Sequence, residues 1–271
     1  MKRLLLALAL VTAACAAPAS VPYTDPGAGD VRVMVFNIHA GKDADGAGNL
    51  DAVAALARDV AADVVLLQEV DRLTKRSGNV DQIKVLADQS GFAPVFGRSL
   101  DYDGGQYGIA TLARGGVEAH FTRELPVTPI QTRSGGSHEP RAALAVVART
   151  PRGRLIALNT HLDALREETY RLQEVATVLE TVRRSSESGL PIVVGGDFNA
   201  EPGSEVHKRV LAAGLRDSWL ECGAGDGRTY PADKPIKRID YLFLTGSLRC
   251  TSARVIDTKI SDHRPLLVTV R

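Results

Sequence analysis

The chain holds more short apolar runs than one β-sheet accommodates comfortably, and this restricts its architecture more than any other feature. Residues 31–38, 63–70, 92–97, 108–114, 117–122, 141–149, 154–161, 191–194, 238–244, 250–256 and 265–270 are rich in apolar side chains and bounded by polar residues, Gly or Pro, as strands are. Between them lie stretches with helical spacing. Residues 50–61 place apolar side chains at 50, 53, 56, 57 and 60 behind Asn49, a suitable N-cap. Residues 80–89 turn Ile83 and Leu86 inward and close at Gly91. Residues 164–184 carry a stripe of Leu165, Leu172, Val175, Leu179 and Val182, and residues 204–213 end at Gly214. Some strands are separated by helices and others follow through hairpins, as at Pro151-Arg152-Gly153, so the class is mixed α/β. The arrangement expected is two packed mixed β-sheets with helices on both outer faces, and loops at 99–106, 134–140 and 223–231. No linker divides residues 31–271, which read as one domain.

The N-terminal residues are of another kind. Lys2 and Arg3 precede an apolar run over residues 4–14, and small residues follow, the layout of a secretory signal peptide. The run is too short to span a bilayer as a helix. Ala17-Pro18-Ala19 offers a cut that ends a signal peptide at residue 19. Thr12-Ala13-Ala14-Cys15 instead resembles a bacterial lipobox, in which residues 1–14 are removed and Cys15 is lipidated. Residues 16–30, rich in Ala, Pro and Gly, then read as a flexible linker. On either path the expected location is extracytoplasmic, as a secreted protein or as a cell-envelope lipoprotein attached to the membrane through Cys15. With Cys15 set aside, Cys222 and Cys250 form an even pair in an oxidising compartment, either disulfide-bonded or two free thiols. Removing residues 1–14 takes Lys2 and Arg3 from 33 cationic side chains and nothing from 32 anionic ones. No basic block of the kind that binds nucleic acid nonspecifically is present. A monomer without an obligate protein partner is expected.

Chemistry-bearing side chains collect at the strand ends. In Ile192-Val193-Val194-Gly195-Gly196-Asp197-Phe198-Asn199 an apolar run stops at two glycines, and Asp197 and Asn199 share one face of an extended chain. The glycines leave room for a ligand such as phosphate, or another backbone, to come close. Asn37 and Glu69 follow the first two long runs, and His161 ends a third with Asn159 two residues before it. Asp240 and Asp262-His263 stand at the starts of runs instead. If the closing strands run antiparallel to the earlier ones, all these groups meet at one edge of the sheets, as catalytic groups do. Each alone reads equally well as a turn, a cap or a solvated strand end; their joint occurrence marks a site.

Carboxylates and amides are hard oxygen donors suited to Mg²⁺, Mn²⁺ or Ca²⁺. No Cys pair or His-x-x-x-His pattern points to zinc, and neither a Gly-x-Ser-x-Gly elbow nor a Walker loop is present. Glu69, with Asn37 and Asp262, suffices for a Mg²⁺ that keeps waters and phosphate oxygens. Two histidines beside it suit phosphate-ester cleavage.

The ordered motifs Val35-Phe36-Asn37-Ile38-His39, Leu66-Leu67-Gln68-Glu69-Val70, Asn159-Thr160-His161-Leu162-Asp163, Gly196-Asp197-Phe198-Asn199, Arg238-Ile239-Asp240-Tyr241 and Ser261-Asp262-His263-Arg264-Pro265 resemble those of the endonuclease/exonuclease/phosphatase superfamily. The resemblance runs from about residue 31 to the C-terminus and implies a four-layer α/β sandwich with metal-dependent phosphoester hydrolysis. It implies Glu69 as main metal ligand, supported by Asn37 and Asp262. It implies Asp197 as the group that orients or deprotonates water, and Asn199 as a phosphate holder. It further implies that His263 paired with Asp240 contacts the phosphoryl group or shuttles a proton, and that His161 is the acid-side partner. Arg141, Asn159 and Tyr107 stand where further phosphate contacts are expected. The substrate implied is a phosphoester, either nucleic acid or a lipid or inositol headgroup. The alternative is a catalytically inactive binding protein on the same scaffold; it predicts loss of Glu69, His161, Asp197, Asp240 or His263, and all five are present.

Overall fold

Side chains alternate along a strand, and in the central strands both alternating sets are apolar. In β1 (Val31–Asn37), Val31, Val33 and Val35 bury on one face and Met34 and Phe36 on the other. β2 (Val64–Arg72) repeats this, with Val64 and Leu66 opposed to Val65 and Leu67. A strand buried on both faces needs a packed layer on each side. The computed structural model, which describes residues 29–130 and 139–271, supplies those layers. The signal peptide expected at 1–19, Cys15, nearly all of the linker expected at 16–30 and most of the loop expected at 134–140 lie outside the described residues.

The remaining strands are β3 (Ala93–Tyr102), β4 (Gly105–Ala113), β5 (Val117–Leu125), β6 (Arg141–Thr150), β7 (Gly153–His161), β8 (Ile192–Asp197), β9 (Arg216–Asp217), β10 (Asp240–Leu244), β11 (Cys250–Val255) and β12 (Leu266–Val270). The helices are α1 (Leu50–Asp59), α2 (Gln82–Ser90), α3 (Thr169–Ser186), α4 (Glu205–Ala212) and α5 (Ser218–Cys222). One sheet runs β11-β12-β1-β2-β4-β3 and the other β5-β6-β7-β8-β10-β9. The pairs β1–β2 and β7–β8 are parallel; the other neighbours are antiparallel. Val33, Val35, Leu66, Leu144, Val193 and Leu242 pack between the sheets. Val53, Ala57 and Leu86 of α1 and α2 cover the first sheet, and Val175, Val178 and Val206 of α3 and α4 cover the second. The result is the four-layer α/β sandwich.

Because β12 is antiparallel to β1 and β10 is antiparallel to β8, the starts of the closing strands lie at the ends of the opening ones. Asp240 stands directly opposite Asp197 in the β8–β10 ladder, and His161 stands beside Asp197 in the β7–β8 ladder. The polar strand ends share one rim.

Of the two readings of Gly195 and Gly196, room for phosphate or for another part of the chain, the structure shows the second. A Cβ on Gly195 would sit 2.8 Å from Leu66, 2.9 Å from Leu242 and 3.0 Å from Val35, so the glycine lets the sheets approach. Gly196 has φ +145°, and a Cβ there would meet the Thr160 carbonyl of β7.

Other departures have local causes. Residues 99–106 are not a loop: Tyr102 pairs with Gly105 around Asp103-Gly104 (φ +46° and +82°), the two-residue turn that an Asp-Gly pair favours. The third helix starts at Thr169, not at 164, because the Asp163 and Leu165 carbonyls accept from the Arg171 guanidinium, so Leu165 is exposed. Asn49 does not cap α1 with its side chain; its Nδ2 donates to the carbonyls of Ile38, Lys42 and Ile260 and so ties loops behind the rim. The two short elements β9 and α5 carry too few residues to show a period. Cys222 of α5 and Cys250 of β11 are joined as a disulfide with Cα atoms 5.8 Å apart.

Gly196→Ala is expected to destabilise the fold by several kcal/mol, combining strain at positive φ with a clash against backbone. Denaturant unfolding of the purified variant checks this; a loss under about 1 kcal/mol contradicts it.

Candidate active site

The site is built around one carboxylate. Asp197 is 1% exposed at the end of β8. Its Oδ1 accepts from the Asn199 backbone N–H at 2.9 Å, which fixes the turn that follows. Its Oδ2 accepts from Asn37 Nδ2 at 3.2 Å and lies 3.6 Å from Nε2 of both His161 and His263. Burial, and then the charge of Asp240, push the Asp197 carboxyl up to about 7 against the pull of His263. Such a group exchanges a proton near neutrality, as a base for water must.

The two histidines are held differently. His263 Nδ1 bonds Asp240 Oδ2 at 2.9 Å, and that oxygen also accepts from Thr229 Oγ1 at 2.5 Å. Burial by itself lowers a histidine pKa, but the carboxylates of Asp240 and Asp197 outweigh it and push His263 up to about 10. His263 is therefore a cation bridging two carboxylates, and the Tyr230 ring packs on it with centroids 4.7 Å apart. His161 faces Arg141 instead: Nη1 donates to His161 Nδ1 at 3.1 Å. A guanidinium only donates, so Nδ1 offers its lone pair and the ring proton sits on Nε2, on the side of Asp197. Asn199 Nδ2 lies 3.2 Å from that Nε2 and donates to the Leu162 carbonyl at 3.0 Å. Asn199 takes φ +47°, a conformation Asn tolerates better than most residues.

Glu69 enters from the other sheet. It is half-buried with φ +56°, and its Oε1 accepts from Asn37 Nδ2 at 3.1 Å. Asp262 is at the rim with a third of its side chain exposed, 3.9 Å from His39 Nδ1. Glu69 and Asp262 are hard oxygen donors open to water and phosphate oxygens, the donor set that suits Mg²⁺ or Mn²⁺. Asp197, Asp240 and His263 also place ligand atoms within 4.8 Å of one another and could hold an ion with His263 neutral; the ion pairs described above make it a cation.

Three expected residues sit one layer deeper than their expected roles require. Asn37 was expected as a metal ligand, but its oxygen accepts from the His39 N–H at 3.0 Å and its nitrogen bridges Glu69 and Asp197. It fixes the spacing of two carboxylates. Arg141, expected on phosphate, is 3% exposed and paired with Glu139 at 3.1 Å as well as His161; it backs the histidine. Asn159 is fully buried between the sheets and does not reach the rim: its Nδ2 donates to the Leu67 and Ala110 carbonyls. Tyr107 does border the site, where burial and the Glu69 charge raise its phenol pKa and Arg76 covers its ring. Thr229 lies in an irregular loop and carried no signal readable beforehand. Ser261 was readable only as part of its motif; its Oγ donates to the Asn37 carbonyl at 2.8 Å and ties the last loop to β1.

The pH dependence of stability follows from His263. Its folded pKa of about 10 exceeds the ordinary 6.5, so its stabilisation is complete below about 6.5 and is lost as pH rises through about 10. Between pH 7 and 10 the parent is expected to lose about 5 °C or more of melting temperature, and Asp240→Asn less than half of that. Calorimetry on both proteins across that range checks it; parallel curves contradict it.

The Endonuclease/Exonuclease/phosphatase family matches residues 34–263. Over 251 residues the chain is 27% identical to the uncharacterized protein YbhP of Escherichia coli (strain K12), covering 87% of this chain and 94% of that one. Among solved structures, an endonuclease/exonuclease/phosphatase from Beutenbergia cavernae superposes with a TM-score of 0.73 at 23% identity, over 89% of this chain and 71% of that one. The mannosyl-6-phosphatase Bt3783 of Bacteroides thetaiotaomicron does so with a TM-score of 0.73 at 19% identity, over 89% and 99%. With its fold, its rim of polar strand ends and the match over most of its length, the chain belongs to the endonuclease/exonuclease/phosphatase family of phosphoester hydrolases.

Proposed function

We propose that this protein is an extracytoplasmic, divalent-metal-dependent phosphoesterase, most readily a phosphodiesterase, that cleaves a P–O bond with activated water. The observation that carries the reading is the focus of both histidines and Asn37 on one buried oxygen of Asp197. Asp197 takes the proton of the attacking water, and its raised pKa matches that task. His263, held as a cation by Asp240, donates to the phosphoryl oxygens, where negative charge grows in the transition state. His161, with its proton on Nε2, donates to the phosphoryl or leaving oxygen, and Asn199 stands beside it. Mg²⁺ or Mn²⁺ would be held by Glu69 with Asp262, and supplies Lewis-acid stabilisation of the phosphoryl group when bound. Family members generally use divalent metals, which supports this part of the reading.

The leader-like residues 1–19 and the Cys222–Cys250 bond support export. Attachment through a lipidated Cys15 and action as a monomer belong to the same proposal. Candidate substrates are nucleic acids and lipid or inositol-phosphate headgroups. The phosphomonoesterase named among the structural relatives adds sugar phosphates to the panel worth testing.

Hydrolysis of an activated phosphodiester is expected to require Mg²⁺ or Mn²⁺, to stop with EDTA and to fall by about 10²-fold or more in Asp197→Ala and His161→Ala. Activity that survives chelation, or losses under about tenfold, removes the mechanism. Across DNA, RNA, phosphoinositide, sphingomyelin and sugar-phosphate substrates, binding without turnover would identify an inactive binding protein.

A further inference from the structure

Between the sheets, among mostly apolar side chains, a small amide cluster lies directly behind Glu69. In the β2–β4 ladder Leu67 pairs with Ala110 and Val70 with Gly108, so Gln68 and Glu69 together face the single residue Ile109. This is a β-bulge, and Glu69 occupies its left-handed position at φ +56°. Asn159, arriving from β7 of the facing sheet, donates Nδ2 to the Leu67 carbonyl at 2.9 Å and the Ala110 carbonyl at 2.8 Å, one from each strand at the mouth of the bulge. Its Oδ1 accepts from Gln68 Nε2 at 2.7 Å, and that nitrogen also donates to the Leu66 carbonyl at 3.1 Å. Both side chains are wholly buried.

A glutamate in the left-handed region is strained, and an interrupted ladder leaves carbonyls to be satisfied. In a regular strand Gln68 and Glu69 would point to opposite faces; the bulge re-aims the second. We propose that Asn159 and Gln68 form a cross-sheet clamp that holds this bulge and so sets the direction of the Glu69 carboxylate. Asn159 is a positioning residue: it touches neither substrate nor metal, and acts through the backbone that carries Glu69. The amide pair occupies a place where apolar residues would otherwise pack, and it satisfies carbonyls of both strands that flank the bulge. The inference rests on the reading of Glu69 as the carboxylate that holds the divalent cation.

The test is direct Mn²⁺ binding, followed by electron paramagnetic resonance of the free ion at a temperature where every variant is folded. Asn159→Ala is expected to weaken Mn²⁺ affinity at least tenfold. Val146→Ala, a truncation in the same inter-sheet core away from the bulge, is expected to lower the melting temperature while leaving affinity within twofold of the parent. If Asn159→Ala does not fold, Gln68→Met, which removes the donor to Asn159 at similar volume, is expected to weaken affinity at least threefold. Parent-like affinity in the folded Asn159→Ala variant, or in Gln68→Met where it stands in, overturns the clamp. Glu69→Gln separates the two levels. If it binds Mn²⁺ as the parent does, the metal-site reading falls and the clamp's role with it. If it loses the ion while Asn159→Ala retains it, the clamp alone falls.

Discussion

A carboxylate that is 1% exposed is tolerated only where donors surround it, and the packing of the whole sandwich serves to surround Asp197. The ladder registers bring His161 and Asp240 beside it within its own sheet. Asn37 reaches it from the facing sheet, which requires the sheets to lie close. Gly195 permits that approach, since any larger residue would meet Leu66, Leu242 and Val35. Closing the core and assembling the site are therefore one event.

The environment then divides labour between side chains of the same type. Arg141 behind His161 keeps a proton acceptor on one ring nitrogen and the proton on the other. Carboxylates on both sides of His263 make it a cation. One histidine thus contributes charge to the site and the other is held by a guanidinium, on either side of a carboxylate whose pKa lies near neutrality. Donors beside a group that handles water are placed to meet the negative charge that grows on the oxygens during phosphoester hydrolysis.

Most of the fold was legible because strands buried on both faces leave an apolar run that periodicity detects, and the four layers follow from the need to cover them. The rim residues were legible because antiparallel return brings strand starts to strand ends. Alternation along β7 holds, and Asn159 does share a face with His161, but it stands two residues back from the strand end and serves the bulge behind Glu69. Residues 99–106 read as a loop because polar residues interrupt the pattern there, although Asp103-Gly104 carried the hairpin signal.

The sequence by itself determined the class of architecture, the set of side chains available for chemistry and their common edge, because these depend on residue type and on the period of a strand. The tertiary structure alone decided which of them face a reacting group and which stand behind it. Asn37 became a support because its amide nitrogen is shared by Glu69 and Asp197, and Arg141 because its terminal nitrogens face His161 and Glu139. Glu69 points as it does because of one left-handed residue in an otherwise ordinary strand, and a single-residue slip in register leaves no periodic trace.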